Sequence, residues 1–303
     1  MRCSQRTAFL VRLALLTLSL QLLVPQFLLA QNVEQDKATS CLWSITAGDT
    51  TIYLLGSIHV LKEEHYPLHN AIYQAFRAAS HLVFEVNLDE ISSPVAQRNS
   101  LTKGLFTDGR TLQEVLTPEN FAFTKTQLKK LGYGIELFGR MKPWMLATTI
   151  TLLELQKLGF ETGLGVDQHI FQQAKAQGKT IEGLETIDDQ LNLFDGLASH
   201  SQEQYLLHTL AEIDSIKQRT QSLIDSWTNG EIEGLQATLD NMKILPDVYD
   251  ALIIRRNNNW LPQVESYLQN NETTMIVVGT LHLIGEHGLL ARLKEKGYVI
   301  KQL

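Results

Sequence analysis

Leu82-Val83-Phe84-Glu85-Val86 is apolar on both faces apart from one carboxylate. Successive strand residues point to opposite sides, so a run without polar alternation belongs to a strand covered above and below. That reading predicts helices on both sides of a sheet, an α/β fold. Upstream, Ile72, Ala75, Phe76 and Ala79 recur at helical spacing over residues 71–79. Before them, Leu42-Trp43-Ser44-Ile45 and the β-formers of 51–55 flank the turn signal Gly48-Asp49 and read as a hairpin. Downstream, residues 273–278 form a strongly apolar strand. A helix over 286–296 stops at Gly297, and Tyr298-Val299-Ile300 reads as a final strand.

Between these ends the pattern is mostly helical. Pro118 opens a helix that Gly132 and Gly134 end. Helices over 145–158 and 166–176 are closed by Gly159 and Gly178. Residues 180–184 resemble a short strand, and Asp188 is placed to cap a helix ending at Leu197. A long helix is expected over 202–227 and another over 247–268, bent by Pro262. The expectation is one α/β domain over 41–303. Its mixed central sheet combines N- and C-terminal strands, and its helical middle region is an insertion or cap.

Residues 1–30 stand apart. Arg2, Arg6 and Arg12 precede a mostly apolar run over 13–29, and Ala30 precedes a polar, acidic stretch. This reads as a secretory signal peptide followed by a flexible segment over 31–40, with an uncleaved anchor as the other reading. Losing the three arginines takes the formal charge from −7 to −10. So acidic a chain is a poor partner for nucleic acid, whose binding draws on Lys and Arg. Beyond the leader only Cys41 remains, which excludes an intrachain disulfide. Export without disulfides points first to the periplasm of a Gram-negative bacterium and second to secretion. No further membrane span is expected.

Two segments echo each other: Leu54-Leu55-Gly56-Ser57-Ile58-His59 and Val277-Val278-Gly279-Thr280-Leu281-His282. Each is an apolar run followed by Gly-x-x-His. In α/β sheets ligands collect beyond the carboxyl ends of strands. Imidazole is both a metal ligand and a proton carrier, so His59 and His282 are candidate partners in one site; two buried structural histidines are the plainer alternative. Gly56 and Gly279 permit a tight turn or a close approach, and Ser57 and Thr280 are expected to hydrogen-bond their turns.

Glu85 is out of place in an apolar strand and needs a cation, a metal or a raised pKa. It is a candidate metal ligand or general base, or else one half of a strand-end salt bridge. Arg256 is placed to steady an oxyanion or bind a carboxylate, unless it is a surface arginine like its neighbour Arg255. His65, His69 and His287 read as surface residues, and Asp167, Glu185 and Asp188 as outer carboxylates. Motifs for structural zinc, a serine nucleophile or a phosphate loop are missing.

These features, with Leu42-Trp43, Lys142-Pro143-Trp144, Gly165-Val166-Asp167, Leu184-Glu185-Thr186 followed by Gln190, Trp227 with Gly230, Arg256-Asn257 with Trp260, and Gly297-Tyr298, resemble the TraB/GumN family in order and spacing. The resemblance covers nearly all of 42–301. It implies a fold akin to erythromycin-esterase and ChaN-like proteins, with the paired Gly-x-x-His motifs at the active site. TIKI-type members are metal-dependent proteases. Carried over, His59, Glu85 and His282 would hold a divalent ion (Mn, Co or Zn), with Glu85 and Arg256 as catalytic groups acting on a peptide or other small substrate. A haem- or iron-binding envelope protein is the alternative that the ChaN-like relationship implies, and a non-catalytic scaffold is a third.

Overall fold

The computed structural model describes residues 39–48 and 50–303. The signal-peptide reading of 1–30, nearly all of the segment 31–40 and Asp49 of the expected turn lie outside them. Six strands form one sheet: β1 (Leu42–Ala47), β2 (Thr50–Ser57), β3 (His81–Phe84), β4 (Thr180–Gly183), β5 (Thr274–Gly279) and β6 (Ile300–Gln302). Their order is β4-β3-β5-β2-β1-β6. β4, β3, β5 and β2 are mutually parallel, and β1 lies antiparallel to both β2 and β6. The mixed α/β sheet with a helical middle region is therefore as the sequence predicts.

Register decides where the site forms. Ser57 pairs with Gly279 and Gly56 with Val278, so β2 and β5 end level with one another. β3 pairs with β5 on one side and β4 on the other, with Phe84 opposite Val277 and Gly183. Four parallel strands thus end side by side, each followed within three residues by a candidate group: Glu185, Glu85, His282 and His59. At about 4.8 Å per strand, side chains from neighbouring ends meet.

Helix α1 (Asn70–Ala78) links β2 to β3. Helices α2 (Pro94–Gly104), α3 (Pro118–Lys130), α4 (Pro143–Lys157) and α5 (Val166–Ala176) lie between β3 and β4. Then follow α6 (Ile187–Asp195), α7 (Ser199–Glu212), α8 (Ile216–Thr228), α9 (Ile232–Met242) and α10 (Arg256–Tyr267), with α11 (Leu289–Glu295) between β5 and β6. The sheet core gathers Phe76, Phe84, Phe171 and Trp260 around the strands. A second core of Leu112, Leu128, Phe138, Ile150 and Leu206 sits among the middle helices.

Several local expectations change. β3 ends at Phe84, so Glu85 stands just beyond the strand rather than inside it. The helix expected over 202–227 is broken by a 3₁₀ turn at Ile213–Ser215. The one expected over 247–268 is divided by a π-helical turn at Asp250–Arg255, while Pro262 lies inside α10. Thr186, not Asp188, caps α6: its hydroxyl accepts from Asp189 N, and Asp189 accepts from Thr186 N in a capping box. The last helix starts at Leu289 and the last strand at Ile300, both later than expected. Among the described residues no helix is long and apolar enough to cross a membrane. Cys41 is free and buried.

Candidate active site

The glycines of the echo explain why the two motifs occupy one place. A Cβ on Gly56 would lie 2.5 Å from Thr280 Oγ1 and 3.1 Å from Thr280 Cα, so only glycine lets the β5 motif pass this close. A Cβ on Gly279 would stand 3.2 Å from both Glu85 Oε1 and His59 Nε2, and 3.5 Å from the His282 ring. The missing side chain therefore opens the space on which the three groups converge. Ser57 and Thr280 are buried, and neither hydroxyl bonds its turn, contrary to expectation.

His59 Nδ1 lies 3.0 Å from Asp167 Oδ2, at the start of α5. Its Nε2 faces Glu85 Oε1 at 3.9 Å, and His282 Nε2 faces the same oxygen at 4.0 Å. Gly279 N donates to Glu85 Oε1 at 2.6 Å, and Gln190 donates to Oε2. Arg256, itself buried, donates to Glu85 Oε2, to Glu185 Oε1 at 2.6 and 2.9 Å, and through Nη1 to His282 Nε2 at 2.9 Å. Its guanidinium also lies 4.5 Å from the centre of the Trp260 ring, whose indole N–H donates to Glu185 Oε2. Glu85 and Glu185 thus share one internal cation, which answers the cost of burying each carboxylate.

Electrostatics separate the four ionisable groups. Burial opposes ionisation of Glu85, but Arg256 first, then His282, His59 and the Gly279 N–H, together outweigh it and hold the carboxyl well below its ordinary range. Burial pushes Glu185 upward, with Arg256 working against it. Burial and then Arg256 push His282 down to about 3, leaving a neutral imidazole. For His59 burial is outweighed by Asp167 and Glu85, which raise it to about 9. The His59 side chain is 57% exposed, so solvent moderates that rise.

His59, Glu85, Arg256 and His282 are therefore brought together, with Asp167 and Glu185 beside them. Asp188 is not: it accepts from Lys103 and Asn99 at the rim of α2. Arg255 pairs with Asp250 on the surface. His69 caps α1, and His65 accepts from Lys62 N. Asn257 and Gln190 are parts of the site that residue-by-residue reading left without a role. Asn257 carried a signal, because Arg256, Asn257 and Trp260 fall on one buried stripe of α10 together with Leu261 and Val264.

The chain belongs to the TraB/PrgY/gumN family. The family match spans residues 41–302. YbaP of Escherichia coli (strain K12), described as uncharacterized, is 25% identical over 247 residues, covering 80% of this chain and 87% of YbaP. A metalloprotease TIKI homolog of Amphimedon queenslandica is 23% identical, covering 97% of this chain and 67% of that protein. Metalloprotease TIKI2 of Danio rerio is 22% identical, covering 89% and 62% respectively. No solved structure gives a significant match.

The family relationship raises the question of a metal. Among the described residues no group of three or more His, Cys, Asp or Glu side chains is gathered tightly enough to hold an ion as it stands. The imidazole–carboxylate separations of 3.9 and 4.0 Å exceed the roughly 3.4 Å between ligands around a tetrahedral ion with bonds of about 2.1 Å. Arg256 also sits on the His282 lone pair. The donor set nevertheless fits such an ion. Mixed imidazole and carboxylate donors suit Mn, Co or Zn. Both rings are anchored through Nδ1, the outer support typical of ligating histidines. The space beside Gly279 borders Glu85 Oε1, His59 Nε2 and the Cδ2 edge of the His282 ring.

Proposed function

We propose that this protein is an exported, metal-dependent hydrolase that cleaves peptides. The observation that carries the reading is the approach of His59 Nε2 and His282 Nε2 to the same oxygen, Glu85 Oε1, at 3.9 and 4.0 Å, beside the space left by Gly279. Two relatives named as metalloproteases support it.

His59, His282 and Glu85 would hold the ion, which when bound supplies Lewis acidity and an acidified water. The remaining work falls to the chain. Glu85 is kept ionised by Arg256, which suits a ligand better than a base. Glu185 lines the neighbouring cleft and is raised by burial, so it is the carboxylate better matched to accept a proton there. Arg256, once free of His282, presents N–H donors to an oxyanion. The cleft has a volume of about 630 Å³ and joins Arg256 and Glu185 to Trp260, Leu193, Leu197 and Asn259. Asp189, Asn192, Asp247 and Arg255 also line it, so the cleft offers apolar and polar contacts together to a peptide.

The test is cleavage of a fluorogenic peptide library by the purified protein, with and without chelator and re-added Mn, Co or Zn. Activity is expected to vanish with chelator, to return with metal, and to be absent in His59→Ala. Activity indifferent to both would contradict the reading.

A further inference from the structure

The two histidines of the echo are held by different partners, and those partners dictate where each ring carries its proton. Asn257 is fully buried in the first turn of α10. An amide side chain offers two N–H donors and one oxygen acceptor. Asn257 Nδ2 lies 3.0 Å from the carbonyl oxygen of His282 and 2.8 Å from that of His287. Carbonyls only accept, so the nitrogen must face them; the flipped amide would set oxygen against oxygen and bury two unmet acceptors. That leaves Asn257 Oδ1 against His282 Nδ1 at 2.8 Å. An amide oxygen also only accepts, so the hydrogen of that bond belongs to Nδ1.

The opposite edge of the ring gives the same answer independently. Arg256 Nη1 is 2.9 Å from His282 Nε2, and a guanidinium has no lone pair to offer. Nε2 must be the acceptor. A hydrogen there would point at a cation, and a ring protonated at both nitrogens would meet Arg256 charge to charge. His59 differs. Its Nδ1–H donates to Asp167, but its Nε2 has only Glu85 Oε1 at 3.9 Å, and the side chain as a whole is 57% exposed.

We propose that Asn257 is a positioning residue that locks His282 as the Nδ1–H tautomer, so that His282 enters the site only as a lone-pair donor at Nε2. The echo then hides a division of labour. His282 is fixed at both nitrogens to receive a cation or a hydrogen bond, whereas His59 is fixed only at Nδ1, by Asp167. The use of this arrangement in catalysis rests on the hydrolase reading, whereas the tautomer itself is measured without any activity.

The experiment is a two-bond ¹H–¹⁵N correlation spectrum of the metal-free protein labelled with ¹⁵N-histidine, at neutral pH. Signals of His282 are identified by their loss in His282→Gln. The expected pattern is a protonated Nδ1 and an unprotonated Nε2 at His282. In Asn257→Leu only Arg256 still favours that pattern, so an Nε2–H population should appear beside it. A clamp that merely ties the His282–His287 turn would leave the tautomer unchanged. An Nε2–H or doubly protonated His282 in the wild type overturns the proposal, as does an unchanged pattern in a folded Asn257→Leu. If that variant does not fold, the wild-type spectrum decides alone.

Discussion

Arg256 Nη1 donates to His282 Nε2 across 2.9 Å, so the lone pair that a metal would need is held by an internal cation of the protein. The same guanidinium neutralises Glu85 and Glu185, both nearly buried. Removing it would leave two carboxylates facing each other in low dielectric. Arg256→Ala is expected to cost about 3–5 kcal/mol, the range for stranding a buried ion, and Arg256→Lys less. Urea denaturation measures this, and a variant as stable as the wild type would show that Arg256 is not what lets the carboxylates be buried.

The two motif glycines should fail in different ways. Gly56→Ala drives a methyl into Thr280, backbone included, and is expected to destabilise by about 1–3 kcal/mol as an overpacked core does. Gly279→Ala meets only the tips of Glu85, His59 and His282 at 3.2–3.5 Å. It should fold nearly normally and lose on the order of 10²-fold in peptide hydrolysis, the scale of a small misplacement of reacting groups. Thermal melts beside activity assays separate the two, and equal losses of both properties in both variants would contradict this.

Stability of the metal-free protein should fall on the alkaline side because of His59. Its folded pKa, about 9, lies above the ordinary 6.5. The stabilisation is therefore complete below 6.5 and lost as the pH rises through 9. His282 acts in the opposite sense: lowered to about 3, its contribution is complete above 6.5 and lost on acidification. The melting temperature between pH 6.5 and 9 should decline more steeply in the wild type than in His59→Gln. The effect is moderated by the exposure of the ring, and superimposable profiles would rule it out.

Cys41 should be silent in the native state. Burial pushes its thiol up to about 12, so almost no thiolate exists near neutrality, and the sulfur is enclosed beside the Trp227 carbonyl. A disulfide-exchange reagent at pH 8 is expected to label Cys41 only in denaturant. Rapid labelling of the folded protein would mean that β1 opens readily.

Much of this site was legible because strand ends and glycines leave marks in sequence. The apolar 82–86 run announced a covered sheet, and the paired Gly-x-x-His announced two strand ends. Glu185 was harder to place, because β4 is a short, largely exposed edge strand with little apolar signal. Asp188 was misread since Thr186 and Asp189, on either side of it, form the better capping box. The π turn before Arg256 could not be read locally, because its surroundings are set by Glu85, Glu185 and His282, all distant in sequence. Asn257 carries no separate role in the sequence, because its three hydrogen bonds reach His282 and His287, both distant along the chain.

The central claim is that His59, His282 and Glu85 form one cation-binding centre. Metal analysis after equilibration with Mn, Co or Zn, comparing wild type with the His59→Ala/His282→Ala double variant, tests it most directly. Stoichiometric metal in the wild type and its loss in the folded double variant is the predicted result; equal metal content in both would contradict it.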